Sequence, residues 1–171
     1  FQLYGMSTHG IAWFPRYVSL NTFKTLSEEW GTNCVRIAMY TDEYGGYCTS
    51  TGKKDQLKNK VKNAVEYATE LGMYVIVDWH ILTDETPLKY KDEALAFFNE
   101  MSQTFADHDN VIYEICNEPN GSTTWDDVKS YANEVIPVIR KNDSNAVVLV
   151  GTPKWCQDIH KVSASPLEFD N

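Results

Sequence analysis

The sequence predicts an α/β protein with a parallel sheet, and within that class about the first five strands of a (β/α)8 TIM barrel. Three observations lead there. Apolar, β-rich runs alternate with amphipathic helical segments at a rhythm of roughly 35 residues, with no low-complexity linker between them. No strand runs into a G-x-G-x-x-G turn, which weighs against the dinucleotide-binding form of an open doubly wound sheet. Polar side chains recur at strand ends: His9 after the first strand, Arg36 and Tyr40 on the second, His80 on the third, Glu118 on the fourth. Groups delivered from many strand ends are the mark of the barrel. Residues 1–171 read as one incomplete barrel domain.

The elements follow in order. Gln2 to Ser7 reads as a short strand, followed by a loop with His9, Gly10, Trp13 and Pro15. Ser19 to Trp30 reads as a helix with Leu20, Phe23, Leu26 and Trp30 on one face, stopped by Gly31. Asn33 to Tyr40 is a strand. Thr41 to Lys54 is a Gly-rich polar loop, and Asp55 to Leu71 an amphipathic helix stopped by Gly72. Met73 to His80 is the third strand, with a helix expected around Lys91 to Ala106. Val111 opens the fourth strand. Asp126 to Lys141 reads as a helix in which Pro137 is expected to cause a kink. Ala146 to Gly151, AVVLVG, is the fifth strand, and the tail from Thr152 has room for at most one short helix.

Composition sets bounds. With 171 residues, 43% of them hydrophobic, the chain fits one globular domain with a sizeable core. A net charge of −9 argues against nucleic acid and anionic membrane surfaces as partners, since both call for basic patches. No apolar run approaches the ~20 residues of a membrane span. No signal peptide is visible, and a start at Phe1 suggests processing or excision. Cys34, Cys48, Cys116 and Cys156 form no CxxC pair and no zinc spacing with His, so no metal or other cofactor is expected. Cys34 and Cys116 lie in apolar strand patterns and read as buried thiols.

The stretch Val111 to Asn120, VIYEICNEPN, carries the chemistry. Its apolar run closes on Asn117-Glu118-Pro119, and Pro stops the pairing because it has no N–H to donate. The Glu118 carboxylate therefore sits at the C-terminal mouth of a strand, where parallel α/β folds place their active sites.

Strand parity adds to this. Arg36 and Tyr40 share a face opposite Val35, Ile37 and Met39, and Asp78 and His80 share a face opposite Val75, Val77 and Trp79. If the apolar faces meet the helices, the polar residues point inward. Two readings stand for Arg36: a site residue, or one half of a buried ion pair with Asp78 or Glu114. His80 is an active-site group or a satisfied core histidine. Trp13 and Tyr40 are cleft walls or core aromatics; both ring types suit flat, amphipathic ligands.

Several segments together resemble family 5 glycoside hydrolases, most of all the bacterial endo-β-1,4-glucanases (cellulases) of that family. They are Gly5-Met6-Ser7-Thr8-His9-Gly10 with Trp13, Asn33 to Tyr40 with its Arg, Val77-Asp78-Trp79-His80, Tyr113 to Asn120, and Thr152 to His160 with Trp155. The resemblance runs along the whole chain and implies roles. Glu118 matches the general acid/base, and Asn117 the residue that hydrogen-bonds the sugar 2-OH. Arg36 matches the arginine that holds the catalytic carboxylates. His80 and His9 match active-site histidines, Trp13 and Tyr40 aromatics on the glycone side, and Trp155 a cleft aromatic nearer the leaving group. The implied substrate is a β-1,4-glucan polysaccharide or oligosaccharide, the implied setting extracellular, and no cofactor is implied.

The physical reasons agree. A glycosidic oxygen leaves poorly until protonated, so an acid beside it must hold its proton at working pH. Retaining hydrolysis needs a second carboxylate about 5–5.5 Å from the first. In the resembling family that nucleophile is a Glu on the seventh strand, and this sequence stops after the fifth. The segment alone is therefore expected to be inactive or weak, and to self-associate or accept a complementing C-terminal fragment. Two other readings stay open: a half-barrel that binds glycans without turnover, and a β-mannanase.

Overall fold

The computed structural model describes residues 2–169. Five strands form one sheet in the order of the chain: β1 (Gly5–Ser7), β2 (Cys34–Tyr40), β3 (Tyr74–His80), β4 (Val111–Cys116) and β5 (Val147–Val150), every neighbouring pair parallel. A doubly wound sheet reverses its strand order part-way. This sheet does not, and it winds one way as a barrel does. The crossovers are α1 (Leu20–Lys24), continued by a π turn (Thr25–Glu29), then α2 (Lys54–Glu70), α3 (Lys91–Thr104) and α4 (Trp125–Asn142). After β5 come α5 (Pro153–Cys156) and α6 (Ile159–Ala164).

The alternation expected from sequence holds. Val35, Ile37, Met39, Val75, Val77 and Trp79 are buried, and they join Val61, Ala64, Val65, Ala68, Phe97, Phe98 and Met101 in one core between sheet and helices. The opposite face of the sheet carries Arg36, Asp78 and His80, with Asp78 directly abreast of Glu114. Trp79 and Phe97, 5.4 Å apart, and Phe98 and Tyr113, 6.3 Å apart, join the β3 and β4 layers to α3. Helix ends follow local chemistry. Ser19 Oγ caps α1 through the Thr22 N–H, Thr124 and Asp127 form a capping box on α4, and α2 stops at Gly72, whose φ is 64°.

Three expectations need revision. The first strand is shorter than Gln2 to Ser7, because Asn33 captures its beginning: the Tyr4 N–H donates to Asn33 Oδ1 at 2.7 Å, and Asn33 Nδ2 donates to the Gln2 carbonyl at 3.0 Å. The helix expected over Ser19 to Trp30 is α-helical only to Lys24 and then widens into the π turn. The tail holds two short helices, not one, and the first is a left-handed turn: Lys154, Trp155 and Cys156 have φ of 57°, 55° and 63°. Such values cost an L-residue roughly 1–2 kcal/mol, so no propensity argument anticipates three in a row.

Candidate active site

The site is built at the C-terminal ends of β2, β3 and β4. Arg36 reaches across the inner face of the sheet from β2. Its Nε and Nη2 donate to the two carboxylate oxygens of Glu114 at 2.7 and 2.8 Å, a bidentate pair. The same Nη2 lies 2.9 Å from Asp78 Oδ2 and donates to Asn117 Oδ1 at 2.8 Å. Burial opposes the Arg36 charge, but the Glu114 hydrogen bond and the charges of Asp78, Glu114 and Glu118 outweigh it and raise its pKa. Arg36 thus pairs with both Asp78 and Glu114, and it also holds Asn117, the residue before Glu118.

His80 has a partner on each ring nitrogen and joins the same cluster. Its Nδ1 is 2.5 Å from Asp78 Oδ2 and its Nε2 is 3.2 Å from Asn117 Nδ2. The Asn117 amide also donates to the Ile81 carbonyl at 3.1 Å. Asp78 is fully buried, and desolvation pushes its carboxyl above the usual range, against the pull of His80 and Arg36.

Strict alternation from Glu114 would turn Asn117 away from Arg36. The pairing of β4 with β5 slips between Glu114 and Cys116, and this bulge resets the alternation so that Asn117 points inward. The Tyr131 hydroxyl of α4 donates to the carbonyl of Ile115, the residue inside that slip, at 2.7 Å. No sequence signal marks the bulge or the role of Tyr131 in it.

Beyond the strand the chain is stapled on both sides. Asn120 Nδ2 donates to the Leu82 carbonyl at 3.0 Å and to the Glu118 carbonyl at 2.9 Å, and the Asn120 N–H donates to the Glu85 carbonyl at 2.9 Å. On the β5 side, the Gly151 N–H donates to the Cys116 carbonyl, the Trp155 N–H to the Pro119 carbonyl and the Cys156 thiol to the Asn117 carbonyl, at 3.0, 3.1 and 3.2 Å. Glu118 is half-buried between these two sets of contacts. Trp155 stands 52% exposed on the left-handed turn hung from Pro119.

The aromatic wall lies toward β1. Tyr40 and His80 have ring centroids 4.0 Å apart, Trp13 stacks on Tyr40 at 5.3 Å, and His9 lies 4.9 Å from Trp13. Trp13 Nε1 donates to the Tyr44 carbonyl at 2.5 Å, which fixes the indole plane. The His9 Nδ1 accepts from the Gly10 N–H at 2.7 Å. Direct contacts therefore join Arg36, Asn117 and His80, and Tyr40 links them to Trp13 and His9. Glu118 and Trp155 follow on the far side. Among the described residues no group of His, Cys, Asp and Glu is arranged to hold a metal ion, and no helix is long and apolar enough to cross a membrane.

Comparison with known proteins now bears on the family. The family described as cellulase (glycosyl hydrolase family 5) matches residues 1–171. The chain belongs to glycosyl hydrolase family 5. Endoglucanase A of Butyrivibrio fibrisolvens is 57% identical over 171 residues, covering 99% of this chain and 39% of that protein. An endoglucanase of Clostridium saccharobutylicum is 47% identical over 171 residues, covering 99% and 37%. Among solved structures, cellulase Cel5C_n superposes with a TM-score of 0.96 at 45% identity, covering 99% of this chain and 54% of that one. The catalytic domain of Thermobifida fusca endoglucanase Cel5A in complex with cellotetraose superposes with a TM-score of 0.92 at 40% identity, covering 99% and 56%. The chain thus spans well under half the length of these curated relatives and about half of the solved family 5 cellulases. Its five parallel strands are the matching part of the family 5 barrel.

Proposed function

We propose that this segment is the acid-bearing part of an endo-β-1,4-glucanase that cleaves cellulose or related β-glucan by retaining double displacement. The observation that supports this most is Asn117-Glu118 at the mouth of β4, with Asn117 clamped between Arg36 and His80 beside the Trp13–Tyr40 wall. The Thermobifida fusca relative was solved with cellotetraose, an oligosaccharide of the proposed substrate class. A sugar ring offers C–H faces to Trp13, Tyr40 and Trp155 and hydroxyls to His9 and to Asn117 Oδ1, with His80 holding Asn117 in place. Glu118 gives its proton to the glycosidic oxygen, then serves as the base that activates water in the second step.

The nucleophile belongs to a part of the barrel outside these residues. Glu114 is the one glutamate on β4 and it is committed: both its oxygens are held by Arg36. The second carboxylate must stand about 5–5.5 Å from Glu118 across the sugar. A polymeric substrate of this kind lies outside cells, which is where the reading places the enzyme.

The test uses the complete polypeptide that contains this segment. The wild type should release reducing ends from carboxymethyl-cellulose with retention at the anomeric carbon, and Glu118→Gln should lose about 10³-fold or more in kcat. Near-normal turnover by Glu118→Gln would remove Glu118 from the acid role, and a preference for mannan over carboxymethyl-cellulose would replace glucanase by mannanase.

A further inference from the structure

We propose that Asp78 is a positioning residue for the reaction: it fixes the tautomer of His80, and through His80 the Asn117 amide that precedes the acid. Four side chains close a ring. Asp78 Oδ2 contacts Arg36 Nη2 at 2.9 Å and His80 Nδ1 at 2.5 Å, and Asn117 closes the ring, accepting from the same Nη2 at 2.8 Å and meeting His80 Nε2 at 3.2 Å.

The proton positions in the ring follow from chemistry. A guanidinium can only donate and a backbone carbonyl can only accept. Arg36 therefore requires the Asn117 oxygen on its side, and the Ile81 carbonyl requires the Asn117 amino group on the other. The second hydrogen of that amino group points at His80 Nε2, so Nε2 must be an acceptor. The neutral ring then carries its hydrogen on Nδ1, and the group facing Nδ1 must accept it. That group is Asp78.

Charge balance points the same way. Arg36 is already neutralised by the bidentate Glu114 pair. A second carboxylate, fully buried, is costly and is not needed as a counter-charge. Asp78 Oδ1 has no hydrogen-bond partner among the described residues, so all its hydrogen bonding passes through the oxygen that serves His80 and Arg36. Remove that acceptor and no arrangement satisfies the ring. Nδ1–H loses its partner, and moving the hydrogen to Nε2 sets two donors against each other at Asn117. The Asn117 side chain loosens, and Asn117 is the residue next to Glu118 in the chain.

The kinetic arm of the test rests on the glucanase reading; the spectroscopic arm does not. In the complete polypeptide, long-range ¹H–¹⁵N NMR of the imidazoles, with His80 assigned through His80→Gln, should show His80 as the Nδ1–H tautomer. Asp78→Ala should abolish that signature, while Asp78→Asn, which keeps an oxygen acceptor, should retain it. On carboxymethyl-cellulose, Asp78→Ala should lower kcat by about 100-fold with little change in KM, as expected for a small misplacement of a catalytic group. Asp78→Asn should recover most of that. The loss in Asp78→Ala/Asn117→Ala should not exceed the larger single loss, because the two act as one unit. A wild-type Nε2–H tautomer of His80, an undiminished kcat in Asp78→Ala, or losses that multiply in the double variant would each overturn the proposal. A wild type without glucanase activity would instead overturn the functional reading and leave the tautomer result standing.

Discussion

Gly151 passes so close to the strand beside it that a Cβ built on it would stand 2.2 Å from the carbonyl oxygen of Asn117 and 2.5 Å from that of Cys116. Both atoms are backbone and cannot swing aside. Only glycine lets the end of β5 lie against the chain that carries Glu118. Gly151→Ala is therefore expected to push the Asn117-Glu118 peptide off its position. Overpacking of this kind costs about 1–3 kcal/mol, and a displaced acid costs about 100-fold in rate. Urea unfolding and kcat on carboxymethyl-cellulose, measured on the complete polypeptide, read the two effects. Wild-type stability and turnover together would show that the contact relaxes freely.

Two buried tyrosines should respond in opposite ways to the same change. The Tyr131 hydroxyl satisfies the Ile115 carbonyl inside the β4 bulge, whereas the Tyr113 hydroxyl is buried without a hydrogen-bond partner among the described residues. Tyr131→Phe strands a buried carbonyl and should destabilise by about 1–3 kcal/mol. Tyr113→Phe removes an unpaired polar atom and should be neutral or stabilising. Denaturant midpoints at constant m-value decide it, and equal losses in both variants would contradict the hydrogen-bond account.

What was legible in the sequence was what period and punctuation can encode. The alternation of Val35, Ile37 and Met39 with Arg36, and of Val75, Val77 and Trp79 with Asp78 and His80, gave strand faces that the structure bears out. Sequential strand order completed the barrel reading. The illegible parts break those rules. The bulge between Glu114 and Cys116 overturns a period of two, and it is what aims Asn117 at Arg36. The turn at Lys154, Trp155 and Cys156 takes φ values that their side chains disfavour. It is held by the Trp155 N–H on the Pro119 carbonyl and the Cys156 thiol on the Asn117 carbonyl, both distant in sequence. The joint service of Asp78 to Arg36 and His80 depends on one oxygen meeting both, which spacing alone does not reveal.

Acid should unpick the start of α4. The side-chain and backbone hydrogen bonds from Thr124 hold the Asp127 carboxyl below its ordinary value. A carboxylate whose folded pKa lies below its unfolded one adds stability above the unfolded pKa, and that stability fades as pH falls through the folded one. For Asp127 the window opens near the ordinary carboxylate value and extends below it. Asp127→Ala should therefore cost about 1 kcal/mol at neutral pH, the usual worth of a capping interaction, and the gap to wild type should shrink in acid. Parallel stability curves between about pH 7 and pH 2 would exclude that role for Asp127.

A polypeptide of residues 1–171 expressed alone is expected to self-associate and to lack turnover. Five strands cannot close an eight-stranded barrel, so β1 and β5 remain sheet edges. On β5, Val147 and Leu149 are 55% and 40% exposed, and they pair with Ile112 and Glu114 on the face that a closed barrel would turn inward. The strand itself, VVLV, carries no charge or Pro to discourage pairing. β1 is exposed along its whole length, beside exposed Leu3 and Tyr4. Apolar edges of this kind are met by a second copy, by aggregation, or by the missing strands. On the proposed mechanism, the last of these also brings the second carboxylate. A separately expressed C-terminal fragment should therefore suppress the association and restore hydrolysis of carboxymethyl-cellulose, and the restored activity should vanish in Glu118→Gln. Light scattering gives the first reading and reducing-end release the second. A cooperatively folded monomer of 19.5 kDa at tens of micromolar would show that these edges are covered from within the segment. Turnover by that monomer alone, lost in Glu118→Gln, would place the nucleophile inside it.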